Sequence, residues 1–235
     1  MREYFPTKTF GSQFGYRLLK RLGLRFRGLR PSNLKGNKEA QAEFIEALPG
    51  VVSEVEEKYD TKVRIFTMDE HRMGLKPILR KQWLFPYQRS IKTVMKYDWL
   101  WVYGFVEPET GENHHYLFPS LNSSCFNLAL KEFSKDVNAS TERPVLLLLD
   151  NAGAHTAKNV QRPCGIEFHP LPPYSPELQP AERLWPLMNE CIANRLVQTR
   201  EELEDLVSKR CKWMMEKATS IVRNLTLYHW WPSRV

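Results

Sequence analysis

The chain has 235 residues, 42% apolar and 26% charged, which suits one substantial core with a small appendage rather than two full domains. Its longest apolar run, Val145–Leu149, is far too short to cross a bilayer, and no apolar N-terminal stretch with a small-residue cleavage site is present, so a cytoplasmic location is expected. The four cysteines, Cys125, Cys164, Cys191 and Cys211, lack C-x-x-C spacing, which argues against a disulfide framework and a zinc knuckle and predicts buried, reduced thiols.

The net charge of +7 is concentrated at one end. Residues 1–38 hold ten Lys or Arg against the single acid Glu3, while residues 39–235 hold twenty-four basic against twenty-six acidic residues. A basic segment ahead of a near-neutral domain is suited to a polyanion, nucleic acid being the commonest; a solvated tail explains the charge equally well. Within it, Ser12–Leu24 has an N-cap candidate in Ser12, apolar residues at helical spacing and Gly23 as a stop, which predicts one short basic helix. Arg17, Lys20 and Arg21 on that helix, and Arg25, Arg27 and Arg30 in the Gly- and Pro-bearing linker after it, are the candidate phosphate contacts. A helix is predicted over Lys38–Lys58, interrupted near Pro49 and Gly50.

From Val63 the pattern turns to strand. Val63–Asp69 alternates β-branched and aromatic residues and ends on an acid; Trp99–Glu107 and His114–Phe118 flank the turn-rich Pro108–Asn113 as a hairpin. A helix over Ser123–Val137 precedes Pro144–Asp150, an apolar run without alternation that predicts a central strand covered on both faces. A short helix near Ala157–Val160, a strand over Ile166–His169 and a proline-rich loop running into a last helix complete the order: β, β-hairpin, α, β, α, β, α.

Asp69 and Asp150 both stand where an open α/β sheet places its ligand crevice, at the carboxyl ends of strands. One strand-end aspartate is ordinarily a turn cap, but two on neighbouring strands repel by several kcal/mol at an effective dielectric of about 20, and a proton or a hard divalent cation would offset that. A third acid follows from Leu171–Trp185: with Pro180 near the first helical position, Glu182 falls in the first turn, favoured there by the helix dipole and able either to cap the helix or to face a cleft.

Three blocks, Phe66–Glu70, Leu149–His155 and Tyr174–Trp185, with 31 residues between Asp150 and Glu182, resemble a D-D-E transposase of the mariner superfamily in its bacterial insertion-sequence branch. The resemblance implies an RNase H-like fold, a five-stranded mixed sheet flanked by helices, with Asp69, Asp150 and Glu182 as catalytic residues and ligands of two Mg²⁺ or Mn²⁺ ions. It implies cleavage and strand transfer on double-stranded DNA, usually at TA, by a homodimer or larger assembly. Glu70, Asn151 and His155 are expected to support the site, His155 by hydrogen bonding rather than ligation. The pair His114–His115 reads as a strand-edge feature, and Trp99, Trp101 and Trp185 as core, whereas Trp83 in Arg80–Trp83 could meet DNA.

Family members begin with two helix-turn-helix units, and residues 1–38 resemble part of the second, leaving 39–235 as the catalytic domain. Gln179 and Ala181 stand where relatives often carry Asn and Ile, changes expected to be mild, and Pro186 is expected to kink the last helix or mark a restart. Rival readings are another RNase H-like nuclease and a catalytically idle, DNA-binding remnant.

Overall fold

The computed structural model describes residues 11, 13–24, 35–81, 83, 90, 92–94 and 96–232. The chain divides into two compact units, Met1–Leu34 and Lys35–Val235. In the first, helix α1 (Phe14–Arg21) carries Lys20 and Arg21 in its last turn, where cations favour the dipole, and has no buried residue. Its end is a Schellman motif. Gly23 takes φ 79°, Leu24 N–H donates to Leu19 O and Gly23 N–H to Lys20 O. The cap at its start is Gln13, and Ser12 lies outside the described residues.

The second unit is built on one mixed sheet of order β3-β2-β1-β4-β5, with β1 Arg64–Gly74, β2 Trp99–Val106, β3 Asn113–Phe118, β4 Val145–Leu149 and β5 Ile166–Pro170. β1, β2 and β3 are antiparallel neighbours, whereas β4 and β5 run parallel to β1. The apolar run of β4 is buried at all five positions, as expected of a strand covered on both faces. Alternation along the strands sends Phe66, Met68, Tyr103, Phe105 and Leu147 to one face, where helix α3 (Ser123–Asp136) packs Phe126, Leu130 and Phe133 on them. The opposite face is covered by helix α2 (Lys38–Tyr59), which meets Ile65, Leu146 and Leu148, and by α5 (Leu184–Asn189), α6 (Arg200–Lys217) and α7 (Thr219–Thr226), which meet Leu100, Val102 and Val106. No helix among the described residues is long and apolar enough to cross a membrane.

Several expectations are corrected. α2 is continuous through Pro49 and Gly50, because burying Phe44, Leu48 and Val52 at roughly 1.5–3 kcal/mol each outweighs the ~3 kcal/mol cost of an interior proline. The short helix after β4 is α4, Gly153–Thr156, ahead of the expected Ala157–Val160. β1 continues five residues past Asp69, since β2 supplies a partner as far as Gly74. Pro186, by contrast, marks a restart, one of the two outcomes expected: a 3-10 turn over Pro180–Arg183 precedes α5, so Pro186 sits in the new helix's first turn, where its missing N–H costs little. Cys125, Cys191 and Cys211 are buried free thiols, but Cys164 is exposed.

Candidate active site

β1 outruns its parallel neighbour. The β1–β4 ladder ends at Thr67 opposite Leu148, while β1 carries on against β2 alone, so a notch opens where the two chains diverge. Asp69 stands on β1 just past the last parallel pair, and Asp150 follows the end of β4. Glu182 arrives from the 3-10 turn after the proline-rich loop. All three line one open cleft of about 440 Å³, together with Asn151, Tyr174 and Gln179. The structure thus brings together the three acids that the sequence singles out.

Glu182 is held against β1 by a strut that sequence reasoning missed. Buried Thr67 donates to Gln179 Oε1 (2.7 Å), Gln179 Nε2 donates to Met68 O (2.9 Å), and Ala181 N–H donates to Thr67 Oγ1 (3.2 Å). Asn151 Nδ2 donates to Leu171 O, fixing the start of the same loop, and Gln41 of α2 reaches Ser175 in its middle. Tyr174, exposed at the cleft, is held at φ 56°, a conformation costly for a residue with a side chain and one that collects at functional sites.

Glu70 projects to the sheet face opposite Asp69 and meets His155. The buried His155 ring lies between two carboxylates, Nε2 2.8 Å from Glu70 Oε1 and Nδ1 2.8 Å from Asp150 Oδ1. Both ring nitrogens are thus occupied, consistent with hydrogen bonding rather than ligation. Burial opposes the imidazolium, but the bonds to Asp150 and Glu70 outweigh it and carry the His155 pKa up to about 10. The same bond holds Asp150 below the usual carboxylate range.

The other two acids are pushed the opposite way. Burial carries Asp69 up to about 7 against a hydrogen bond from Trp185, and the charges of Glu70 and Glu182 add to the rise. Glu182 is raised by partial burial, opposed by neighbouring Arg183, with Glu177 and Asp150 adding to it. The acids therefore feel one another's charge across the cleft. Among the described residues no three Asp, Glu, His or Cys side chains are arranged to hold a metal ion between them. An open set of hard oxygen donors that repel one another still fits Mg²⁺ or Mn²⁺, which take one or two carboxylates and leave positions for water and phosphate oxygens.

The other candidates fall elsewhere. Arg17, Lys20 and Arg21 are exposed on α1, and Arg25, Arg27 and Arg30 lie outside the described residues. His114 and His115 occupy edge strand β3, away from the cleft. Trp83 is fully exposed, and Trp99 and Trp101 are half-buried under Arg72.

Residues 64–204 match the family model described as DDE superfamily endonuclease, a span that contains all three acids. The chain belongs to the DDE superfamily endonuclease family. It is 29% identical over 114 residues to an uncharacterized protein, y4pE/y4sA, of Sinorhizobium fredii, an alignment covering 48% of this chain and 81% of that one. Among solved structures, the Mos1 mariner paired end complex with Mn superposes with a TM-score of 0.55 at 17% identity, over 92% of this chain and 71% of that chain. The catalytic domain of Mos1 mariner transposase gives a TM-score of 0.54 at 16% identity, over 84% and 91%. The fold is thus the RNase H-like fold of the Mos1 transposase catalytic domain, and the chain carries the endonuclease domain of its own family.

Proposed function

We propose that the chain is the catalytic part of a transposase in which Asp69, Asp150 and Glu182 together hold two divalent cations and the scissile phosphate. The observation that carries this reading is the convergence of three acids, from β1, the end of β4 and the loop before α5, on one open cleft inside the family span. Bound Mg²⁺ or Mn²⁺ would supply activation of the attacking water or DNA 3′-hydroxyl and stabilisation of the leaving oxygen. The chain's own share is placement. Asp150 is oriented by His155, which Glu70 holds from behind, and Glu182 is fixed by the Thr67–Gln179 strut. The exposed face of Tyr174 at the cleft offers a surface on which a base can stack.

Mos1 solved as a paired end complex with Mn supports a divalent ion and paired DNA ends here; a dimer or larger assembly bridging them and a TA target are what the resemblance to the mariner superfamily implies. Residues 1–38 then serve as the basic DNA-contacting element, through Arg17, Lys20, Arg21, Arg25, Arg27 and Arg30, ahead of a catalytic domain at 39–235 in a cytoplasmic, nucleoid-associated protein. The presence of all three acids in an open cleft speaks against an idle remnant. The test is the set of single substitutions Asp69→Ala, Asp150→Ala and Glu182→Ala, assayed for metal-dependent cleavage of labelled duplex DNA. Each is expected to keep a cooperative unfolding transition and lose cleavage; activity retained in all three would overturn the assignment.

A further inference from the structure

Trp185, three residues after Glu182, reads in the sequence as core, and it is 7% exposed. Its polar edge nevertheless ends at the site, where the indole Nε1–H donates to Asp69 Oδ2 at 2.6 Å. A ring of this size can come that close because of the residue across the sheet. Asp69 pairs with Gly104 of β2, so the two positions share a face. A Cβ at Gly104 would lie 2.6 Å from Trp185 Cη2 and 3.2 Å from Cζ3; the ring occupies the space that any side chain there would take. One flat side of the indole is stacked on His71, with ring centroids 5.0 Å apart and planes 11° apart, and His71 is pinned through Nε2 to Asn189 Oδ1 at 2.9 Å. Gly104, His71 and Asn189 thus box the indole so that its only polar atom points at a carboxylate oxygen.

We infer that Trp185 is a positioning residue for the metal centre, its N–H fixing the Asp69 carboxylate in the orientation that receives a cation, with Gly104 as the gap that admits the ring. This rests on the function proposed above. The N–H occupies one acceptor position of Oδ2, the Glu70 backbone N–H donates a second hydrogen bond to the carboxylate, and its remaining lone pairs are left for a cation. It also lets a carboxylate that faces two other acids keep its place before any cation arrives, which is the part partners behind a metal ligand ordinarily play. Trp185→Phe keeps the ring stack and removes only the donor, whereas Gly104→Ala keeps the donor and displaces the ring.

The test uses the full chain and three readouts. With ¹⁵N-labelled tryptophan, one of the seven indole N–H resonances is expected downfield of the others, absent in Trp185→Phe and shifting on titration with Mg²⁺. Mn²⁺ binding, followed through the electron paramagnetic resonance of the free ion, is expected to weaken about tenfold in both variants, the low end of the effect of removing such partners. The thermal midpoint of Trp185→Phe should stay close to that of the parent. Unchanged Mn²⁺ affinity in Trp185→Phe overturns the inference, and so does an indole spectrum indifferent to Mg²⁺, which needs no variant to fold. Failure of the unsubstituted chain to bind Mn²⁺ at all would overturn the proposed function as well, so the two failures are distinguishable.

Discussion

Gln179 shows how much a single buried amide does at this site. It is 4% exposed, accepts from Thr67 and donates to the Met68 carbonyl, one residue before Asp69. Gln179→Ala leaves the Thr67 hydroxyl hydrogen without its acceptor and that carbonyl without this donor, which costs about 1–3 kcal/mol, and it loosens the turn that carries Glu182. The expected result is a lower denaturation midpoint together with a fall in cleavage rate larger than the fraction unfolded explains; a rate that follows only the folded fraction would deny the strut a role at the site. Strand ends and a proline-guided turn make the three acids candidates locally, and the resemblance of their three blocks joins them as one site. The strut is not: Gln179 reads there as a mild exchange for Asn, and its partner Thr67 lies 112 residues away. Trp185 is legible as apolar bulk but not as a donor to Asp69, 116 residues distant. Long-range pairings of this kind leave no trace in local spacing.

At the scale of elements, hydrophobic pattern marks the strands and the hairpin, and tertiary burial changes the rest. Proline at position 49 reads locally as a break, yet α2 continues because its Phe44, Leu48 and Val52 face is buried against β1 and β4. Pro49→Ala restores a donor to the helix and removes a ring clash, so it is expected to stabilise the fold by about 1–3 kcal/mol in chemical denaturation. Destabilisation would mean that the proline's own packing outweighs its backbone cost. Asp69 reads locally as the end of its strand, and the antiparallel partner carries β1 on to Gly74; what ends there is only the pairing with β4, and that one-sided ending makes the crevice. The sequence predicts one last helix where α5, α6 and α7 follow, although α6 has a cap of its own: the Thr199 hydroxyl accepts from Glu202 N–H, and Glu202 Oε2 accepts from Gln198 N–H.

For the molecule as a whole, charge and pH set two further expectations. His115, buried on β3 with only Nε2 bonded, to Asn113, is held by burial and by His114 beside it at a pKa of about 3, against about 6.5 for a free imidazole. The unfolded chain takes up this proton first, so the His115 contribution is complete above about pH 6.5 and is lost as pH falls from there towards 3. Glu112, held near 2 by His114 and Arg64, adds the same sign lower down, as pH falls from about 4.5. His115→Gln should therefore flatten the decline of the urea midpoint between pH 6.5 and 4.5; an unchanged slope would deny a neutral buried His115. The basic end of the chain sets the other expectation. Replacing Arg17, Lys20 and Arg21 together by Ala should lower the slope of log affinity for duplex DNA against log salt by about 0.9 for each phosphate no longer neutralised, and an unchanged slope would make α1 a bystander. Composition locates this segment, but charge alone does not distinguish a phosphate-binding element from a solvated tail.

The central claim is metal-dependent DNA cleavage and strand transfer through Asp69, Asp150 and Glu182. Its most direct test is nicking and joining of labelled DNA bearing the element's own ends, in Mg²⁺ or Mn²⁺, by the chain and by its Asp150→Asn variant. The expected result is cleavage and strand transfer that require the metal and vanish in the variant, because the amide keeps the size of the side chain but loses the charge that a cation needs. Cleavage that persists in Asp150→Asn, or that proceeds equally in chelator, would contradict it.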